Sequence, residues 1–166
     1  MTDCSGGSLE IRPLRADEQS LLVRATVGNV NWSGPRLTWD QVVQTPALAH
    51  YFTPWPAVGD FGIVAETDDG APIAVAWLRH FKASDPGYGF VDEDYPELSI
   101  WVAKTHRGIG IGTRLLTRLI EQAHEQNLRG ISLSVEPGNP ARSLYERVGF
   151  TSAGSDFDAE TLVLRF

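Results

Sequence analysis

The chain has 166 residues, 42% hydrophobic and 21% charged, with a formal net charge of −7; this is the size of one compact domain with its own core. Residues 1–95 hold 13 acidic and 6 basic side chains and residues 96–166 hold 8 of each, so no basic surface is concentrated for nucleic acid, and the acidic excess fits a cationic partner. No apolar run approaches the roughly 18 residues of a membrane span, the first residues lack a signal-peptide pattern, and the single cysteine, Cys4, excludes an internal disulfide, so a cytoplasmic setting without membrane attachment is expected.

Residues 1–8 are expected to form a flexible tail ahead of a single domain over 9–166. Residues 9–13 read as a strand, and Asp17 with Glu18 opens a helix whose apolar positions Leu21, Leu22 and Ala25 end near Gly28. A turn-rich loop follows over 29–35. Thr38 with Gln41 three residues on fits a capping box ahead of Val42 and Val43, so a short helix follows until Pro46 stops or kinks it. The run Tyr51-Phe52-Thr53-Pro54-Trp55-Pro56 cannot continue as regular structure, and its aromatics are expected to roof the core rather than to line a pocket. Residues 61–66 and 73–81 are β-rich and flank Asp68-Asp69-Gly70, the signal of an antiparallel hairpin. The loop over 82–95 holds the acids Asp85, Asp92, Glu93 and Asp94 and the aromatics Tyr88, Phe90 and Tyr95. It enters a strand in which Leu98, Ile100 and Val102 alternate with Ser99 and Trp101. Beyond a long helix, 131–135 reads as a strand, Asn139-Pro140 starts a helix that Gly149 ends, and strands are expected over 151–157 and 161–166.

The most informative stretch is Arg107-Gly108-Ile109-Gly110-Ile111-Gly112-Thr113. It leads into a helix whose apolar positions Ile111, Leu115, Leu116, Leu119, Ile120 and Ala123 recur at three- and four-residue steps. A glycine in a helix interior costs about 0.5–1 kcal/mol relative to alanine, so three at the start serve something other than helix stability. The first N–H groups of a helix lack intrahelical partners and carry partial positive charge, and a backbone without Cβ atoms lets an anion approach. The junction therefore reads as a phosphate cradle to which Arg107 can add a charge-assisted contact. A Walker A loop does not fit, because Thr113 follows Gly112 with no lysine between them. A Rossmann turn fits no better: the spacing is G-x-G-x-G, five residues after a strand far from the N-terminus.

The run Arg107-x-x-Gly110-x-Gly112 resembles the acyl-CoA pyrophosphate motif, (Q/R)-x-x-G-x-(G/A), of the GNAT superfamily of N-acetyltransferases. Two further segments agree. Pro96-Glu97-Leu98-Ser99-Ile100-Trp101-Val102 is similar to the family's central strand. The segment from Asn139 to Phe150 is similar to its second signature, N-x-x-(A/S)-x-x-x-Y-x-x-x-G-F, shortened by one residue between the Asn and the Tyr-containing core. The order of elements from Ile11 to Phe166 is also the family's. The resemblance implies an α+β fold with a mixed sheet flanked by helices. It implies an enzyme that transfers an acetyl group from acetyl-CoA to an amine in a ternary complex, the acceptor being a small cationic amine or the amino group of a peptide. By the same resemblance, the strand backbone at Ile100, Trp101 and Val102 holds the pantetheine arm, and Arg107, Gly108, Gly110, Gly112 and Thr113 hold the pyrophosphate. Asn139 then contacts pantetheine as well as capping its helix. In the family, the strands corresponding to 98–102 and 131–135 splay apart to admit the acyl-CoA.

An alkylamine with a pKa near 10.4 is neutral in one molecule in about 2,500 at pH 7, so presenting the free nucleophile costs about 4.6 kcal/mol. The resemblance places a general base at Glu97, acting directly or through water. An ordinary glutamate is a weak base, so the role requires burial or nearby negative charge; Glu93 and Asp94 are alternatives. Tyr145 matches the family tyrosine that donates toward the departing CoA sulfur. The loop acids would favour a small cationic acceptor. His106 and His124 have no Cys, Asp or His at metal spacing, so no metal is expected. The rival reading is a domain that binds acyl-CoA without turnover, as a sensor or partner-recruiting module. Monomer and homodimer are both left open.

Overall fold

The computed structural model describes residues 8–155 and 158–166. The expected tail lies outside them except for Ser8, which donates to the Asp68 carboxylate from both its N–H and its hydroxyl. Cys4 and residues 156–157 of the expected strand also lie outside the described residues.

The elements follow the expected order: β1 (Glu10–Pro13), α1 (Gln19–Val30), α2 (Trp39–Gln44), α3 (Pro46–Ala49), β2 (Phe61–Glu66), β3 (Pro72–Arg79), β4 (Glu97–Val102), α4 (Ile111–Glu125), β5 (Gly130–Val135), α5 (Ala141–Arg147), β6 (Thr151–Ser155) and β7 (Glu160–Arg165). Among the described residues, seven strands form one mixed sheet in the order β1-β2-β3-β4-β5-β7-β6. The crossover through α4 makes β4 and β5 parallel, while the other neighbours are antiparallel. This is the α+β architecture that the resemblance implies. No helix among the described residues is long and apolar enough to cross a membrane.

Strand alternation divides the core between the two faces of the sheet. Val64, Val75, Trp77 and Trp101 point toward α1, α2 and α3, while Ile63, Ala65, Ala74, Ala76, Leu78 and Leu98 point toward α4 and α5. The predicted stripe on α4 is realised: Leu115, Leu116 and Leu119 are fully buried. Each such burial contributes about 1.5–3 kcal/mol relative to exposure. The capping box is also present, with Gln41 N–H donating to Thr38 Oγ1 at 3.2 Å and Thr38 N–H donating to the Gln41 side chain at 2.9 Å.

Three local readings change. Pro46 does more than end α2, because it opens α3 at a position where its missing N–H is not needed. Glu18 precedes α1 but makes no side-chain cap; its carboxylate is taken by Arg12, which also holds Glu66 and so ties β1, β2 and the start of α1 together. Finally, α1 does not end near Gly28 but runs on to Val30. The reason is tertiary: the Trp101 indole lies directly against Gly28, where any Cβ would overlap it, and the Arg24 guanidinium covers the same indole at 5.1 Å. Gly28 is thus a close-approach residue inside a helix rather than a stop.

In Gly28→Ala, the gain of up to about 1 kcal/mol in helix propensity opposes an overpacking cost of about 1–3 kcal/mol. Urea denaturation is expected to show a net loss of stability of about 1 kcal/mol. Equal or higher stability would mean that the indole has room to retreat.

Candidate functional site

Among the described residues, β4 and β5 share a single ladder pair, Glu97 opposite Ser132, and Ser132 N–H donates to Pro96 O at 3.0 Å. Beyond that pair the strands diverge, so their facing edges at 98–102 and 133–135 carry no ladder bonds to each other. The splay is therefore present. Gly89 of the 82–95 loop sits at its lower end, so close to the Leu133–Ser134 peptide that a Cβ would overlap it. From there a cleft of about 1340 Å³ follows the fork past Trp101 to the glycine junction and α5.

All the residues expected to serve catalysis or cofactor binding line this one cleft: Glu97, Ile100, Trp101, Val102, Arg107, Gly108, Gly110, Gly112, Thr113, Asn139 and Tyr145. At the junction, Gly108 and Gly110 have φ of 78° and 88°, and Gly110 caps α4 in the left-handed conformation that a side chain would strain. Apart from the flanking residues, no described atom lies within 4 Å of where a Cβ would stand on either residue, so their backbone faces open space. Arg107 Nε donates to Val102 O at 3.0 Å, which ties the junction to the last residue of β4. Across the cleft, Asn139 Oδ1 accepts from Ala141 N–H at 3.0 Å and so satisfies the first N–H of α5, but the cap position itself is held by Pro140 rather than by Asn139 as expected. Tyr145 packs edge-on against Phe150 with ring centroids 5.9 Å apart. Burial pushes its phenol further above the usual range. The junction offers backbone N–H groups, open space and an arginine, which is the donor set a pyrophosphate needs.

Glu97 is 3% exposed. Its Oε1 accepts from the Tyr51 hydroxyl and from Gly89 N–H, both at 2.8 Å, while Oε2 is buried without a protein partner among the described residues. Burial raises its pKa to about 7, partly offset by the two hydrogen bonds. The residue thus meets the condition that sequence chemistry set for a base.

The loop acids do not. Asp94 pairs with Arg129 at 3.2 Å, Glu93 accepts from Ala83 N–H, Asp92 accepts from Asp94 N–H, and Asp85 pairs with His50 at 3.1 Å. None of the four lines the cleft. Glu93 and Asp94 are therefore no alternatives to Glu97, and the acidic steering expected of this loop is not built into the site. Of the loop aromatics, Tyr88 lines the cleft, whereas Phe90 packs on the α1 side of the core and Tyr95 lies under Arg129. Tyr51, expected to roof the core, does so and lines the cleft as well. Sequence reasoning missed Trp32, Arg36 and Glu136. Arg36 reaches from the loop after α1 to Glu136, just beyond β5, at 2.7 Å, and Trp32 lies beside Gly138 and under Arg36. These contacts strap the two sides of the fork together. No motif announces them, because partners 100 residues apart meet only in the fold. His106 lines the cleft and His124 stacks on Phe166 at 3.9 Å. No three His, Cys, Asp or Glu side chains converge as a metal site among the described residues.

Comparison with known proteins agrees with this geometry. The chain is 41% identical over 59 residues to an L-methionine sulfoximine/L-methionine sulfone acetyltransferase of Pseudomonas paraeruginosa, covering 35% of this chain and 34% of that protein. It is 40% identical over 52 residues to a ribosomal protein bS18-alanine N-acetyltransferase of Haemophilus influenzae, covering 31% and 36%. Each match thus spans about a third of the relative's own length. The fold is similar to that of yncA from Salmonella typhimurium, solved with its cofactor acetyl-CoA, at a TM-score of 0.66 and 22% identity over 95% of this chain and 94% of that one. The model of the acetyltransferase (GNAT) family matches residues 30–150, which include the fork, the glycine junction and α5. The chain belongs to the acetyltransferase (GNAT) family.

Proposed function

We infer that the protein transfers an acetyl group from acetyl-CoA to an amine by direct attack in a ternary complex. The observation that carries this reading is the fork itself, an unpaired strand edge with a buried carboxylate at one end and an open glycine junction at the other.

Acetyl-CoA supplies the activated acetyl group as a thioester. The backbone groups of Ile100 and Val102 on the cleft edge of β4 receive the pantetheine amides as an added strand would be received, while Trp101, whose own backbone pairs with Val75 on β3, borders the arm with its side chain. Arg107, Gly108, Gly110, Gly112 and Thr113, at the start of α4, hold the pyrophosphate, and Asn139 borders the arm from α5. The acceptor nitrogen approaches beside Glu97, Tyr51 and Tyr88. With a pKa of about 7, Glu97 is about half ionised at neutral pH and is a far stronger base than an exposed glutamate. As the C–N bond forms and the C–S bond breaks, the amine proton passes to the Glu97 carboxylate, directly or through water. Tyr145 stays protonated and donates a hydrogen bond to the departing thiolate. Because a thiol is a stronger acid than this phenol, the proton that finally reaches sulfur is the one released by the amine.

The acceptor is a primary amine, either on a small molecule or at a peptide terminus, and the relatives' names contain one of each kind. A panel holding an amino-acid sulfoximine, a polyamine and an alanine-terminated peptide, assayed with acetyl-CoA by thiol release, is expected to give turnover with one class. Acetyl-CoA should also raise the melting temperature. Gly112→Asp, which brings bulk and negative charge to within contact of Leu144 and Val102, should abolish both effects. Stabilisation by acetyl-CoA with no thiol release from any amine would instead assign the domain to the binding-only class.

Tyr145→Phe keeps the ring and removes the donor. It should lower kcat tenfold or more, roughly in line with general-acid contributions, and leave the KM for acetyl-CoA within twofold. An unchanged kcat would reduce Tyr145 to a packing residue.

Glu97 also makes stability depend on pH. Its folded pKa of about 7 lies above the ordinary 4.5, so between these values the unfolded chain ionises while the folded one stays protonated. The cost of the buried charge grows as pH rises from about 4.5 and is complete above about 7. Relative to wild type, Glu97→Gln should gain stability over that range, up to an order of 3 kcal/mol. Urea titrations at pH 5 and pH 8.5 that give the same difference between the two proteins would contradict the raised pKa.

A further inference from the structure

Tyr51, just beyond α3, has no counterpart in the three motifs, yet its hydroxyl occupies a fixed place in the site. It accepts from Tyr88 N–H at 2.8 Å and lies 2.8 Å from Glu97 Oε1. A backbone N–H can only donate and an ionised carboxylate can only accept, so the phenolic oxygen accepts from Tyr88 and gives its own proton to the ionised Glu97. The ring has little freedom. It is 8% exposed and packs edge-on against His50 at 4.9 Å and Phe81 at 5.1 Å. Its carbonyl receives the indole N–H of the fully buried Trp77 at 2.9 Å. Oε1 is thereby saturated by Tyr51 and Gly89, and the free lone pairs of the carboxylate are those of Oε2.

We propose that Tyr51 is a positioning residue for Glu97: oriented by Tyr88 N–H, its hydroxyl fixes Oε1 and so holds the carboxylate in place at the lower end of the cleft. The inference rests on the base role of Glu97 given above. The same hydroxyl bond favours the ionised carboxylate and opposes the effect of burial. The other titratable and charged neighbours are engaged elsewhere. Arg79, opposite Glu97 on β3, directs its guanidinium to Pro54 O and lies 3.6 Å from Asp60. His50, beside Tyr51, holds Asp85. Ser132, opposite on β5, is neutral. Tyr88 stacks parallel to Tyr51 at 6.3 Å. Removing the Tyr51 hydroxyl therefore leaves burial less opposed and makes Glu97 harder to ionise.

The test is a carbon-13 NMR titration of protein labelled at the glutamate side-chain carboxyl, with Glu97 assigned as the signal that Glu97→Gln removes. In Tyr51→Phe, which retains the packed ring, the Glu97 midpoint should rise by at least half a pH unit. The acidic limb of kcat/KM should rise with it, and the KM for acetyl-CoA should stay within twofold. Biosynthetic replacement of the four tyrosines by 3-fluorotyrosine, which has almost the same shape and a more acidic hydroxyl, should lower the midpoint, and this arm does not depend on the folding of the Phe variant. A Glu97-dependent limb at a midpoint that neither change moves would overturn the role of Tyr51 alone. A midpoint that moves while the limb stays in place would overturn the base assignment of Glu97, and the proposal with it.

Discussion

The structure depends on how little β4 and β5 pair. One ladder rung, Glu97 with Ser132, joins the β1–β4 half of the sheet to the β5–β7 half, and everything above it is held open. A fully zipped parallel pair would satisfy its own backbone and leave no cleft. Unpaired N–H and C=O groups are tolerable only where something polar can reach them, so the fork faces a large open cleft rather than core. Several contacts frame the opening. Gly89 fills the lower end against the Leu133–Ser134 peptide, Arg107 holds the last carbonyl of β4, and the Arg36–Glu136 pair spans the top.

Glu97 sits on that rung, and its environment is a balance rather than a single effect. Desolvation disfavours its charge strongly, while two hydrogen bonds to Oε1 favour it, and together they bring the group into the neutral range. Full burial without donors would leave a permanently protonated acid, and exposure would leave a weak base. The position at the first residue of β4 supplies the burial, the 82–95 loop that returns over the strand supplies one donor, Gly89 N–H, and the segment just beyond α3 supplies the other, the Tyr51 hydroxyl.

Much of this was legible in the sequence because it is local. The stripe on α4, the capping box at Thr38, the hairpin at Asp68-Asp69-Gly70 and the glycine junction each depend on residues within one or two turns of one another. The motif residues then converge because the family resemblance fixes the order of strands. What failed or was missed depends on partners far apart in the chain. The loop acids look like a cluster in sequence, but Arg129, 35 residues from Asp94, turns one of them away from the cleft. Gly28 reads as a helix stop until Trp101, 73 positions on, is placed against it. Tyr51 and Glu97 are 46 residues apart, and nothing in the spacing of either shows that they are hydrogen-bonded.

The packing of Trp101 has an optical consequence. Trp101 forms part of the cleft wall with its indole pressed on Gly28 and covered by Arg24, and Trp32 stands at the other side of the same cleft with its indole N–H unpartnered among the described residues. Of the remaining three tryptophans, Trp77 is sealed in the core, Trp39 faces solvent on α2, and Trp55 donates to Arg15 O under the Arg79 guanidinium, outside the cleft lining. Indole emission responds to local polarity and to nearby quenchers, so filling the fork changes the surroundings of Trp32 and Trp101 while Trp77 and Trp39 keep theirs. The molecule thus carries intrinsic fluorophores on the walls of its own cleft, and occupancy becomes readable as light without any label.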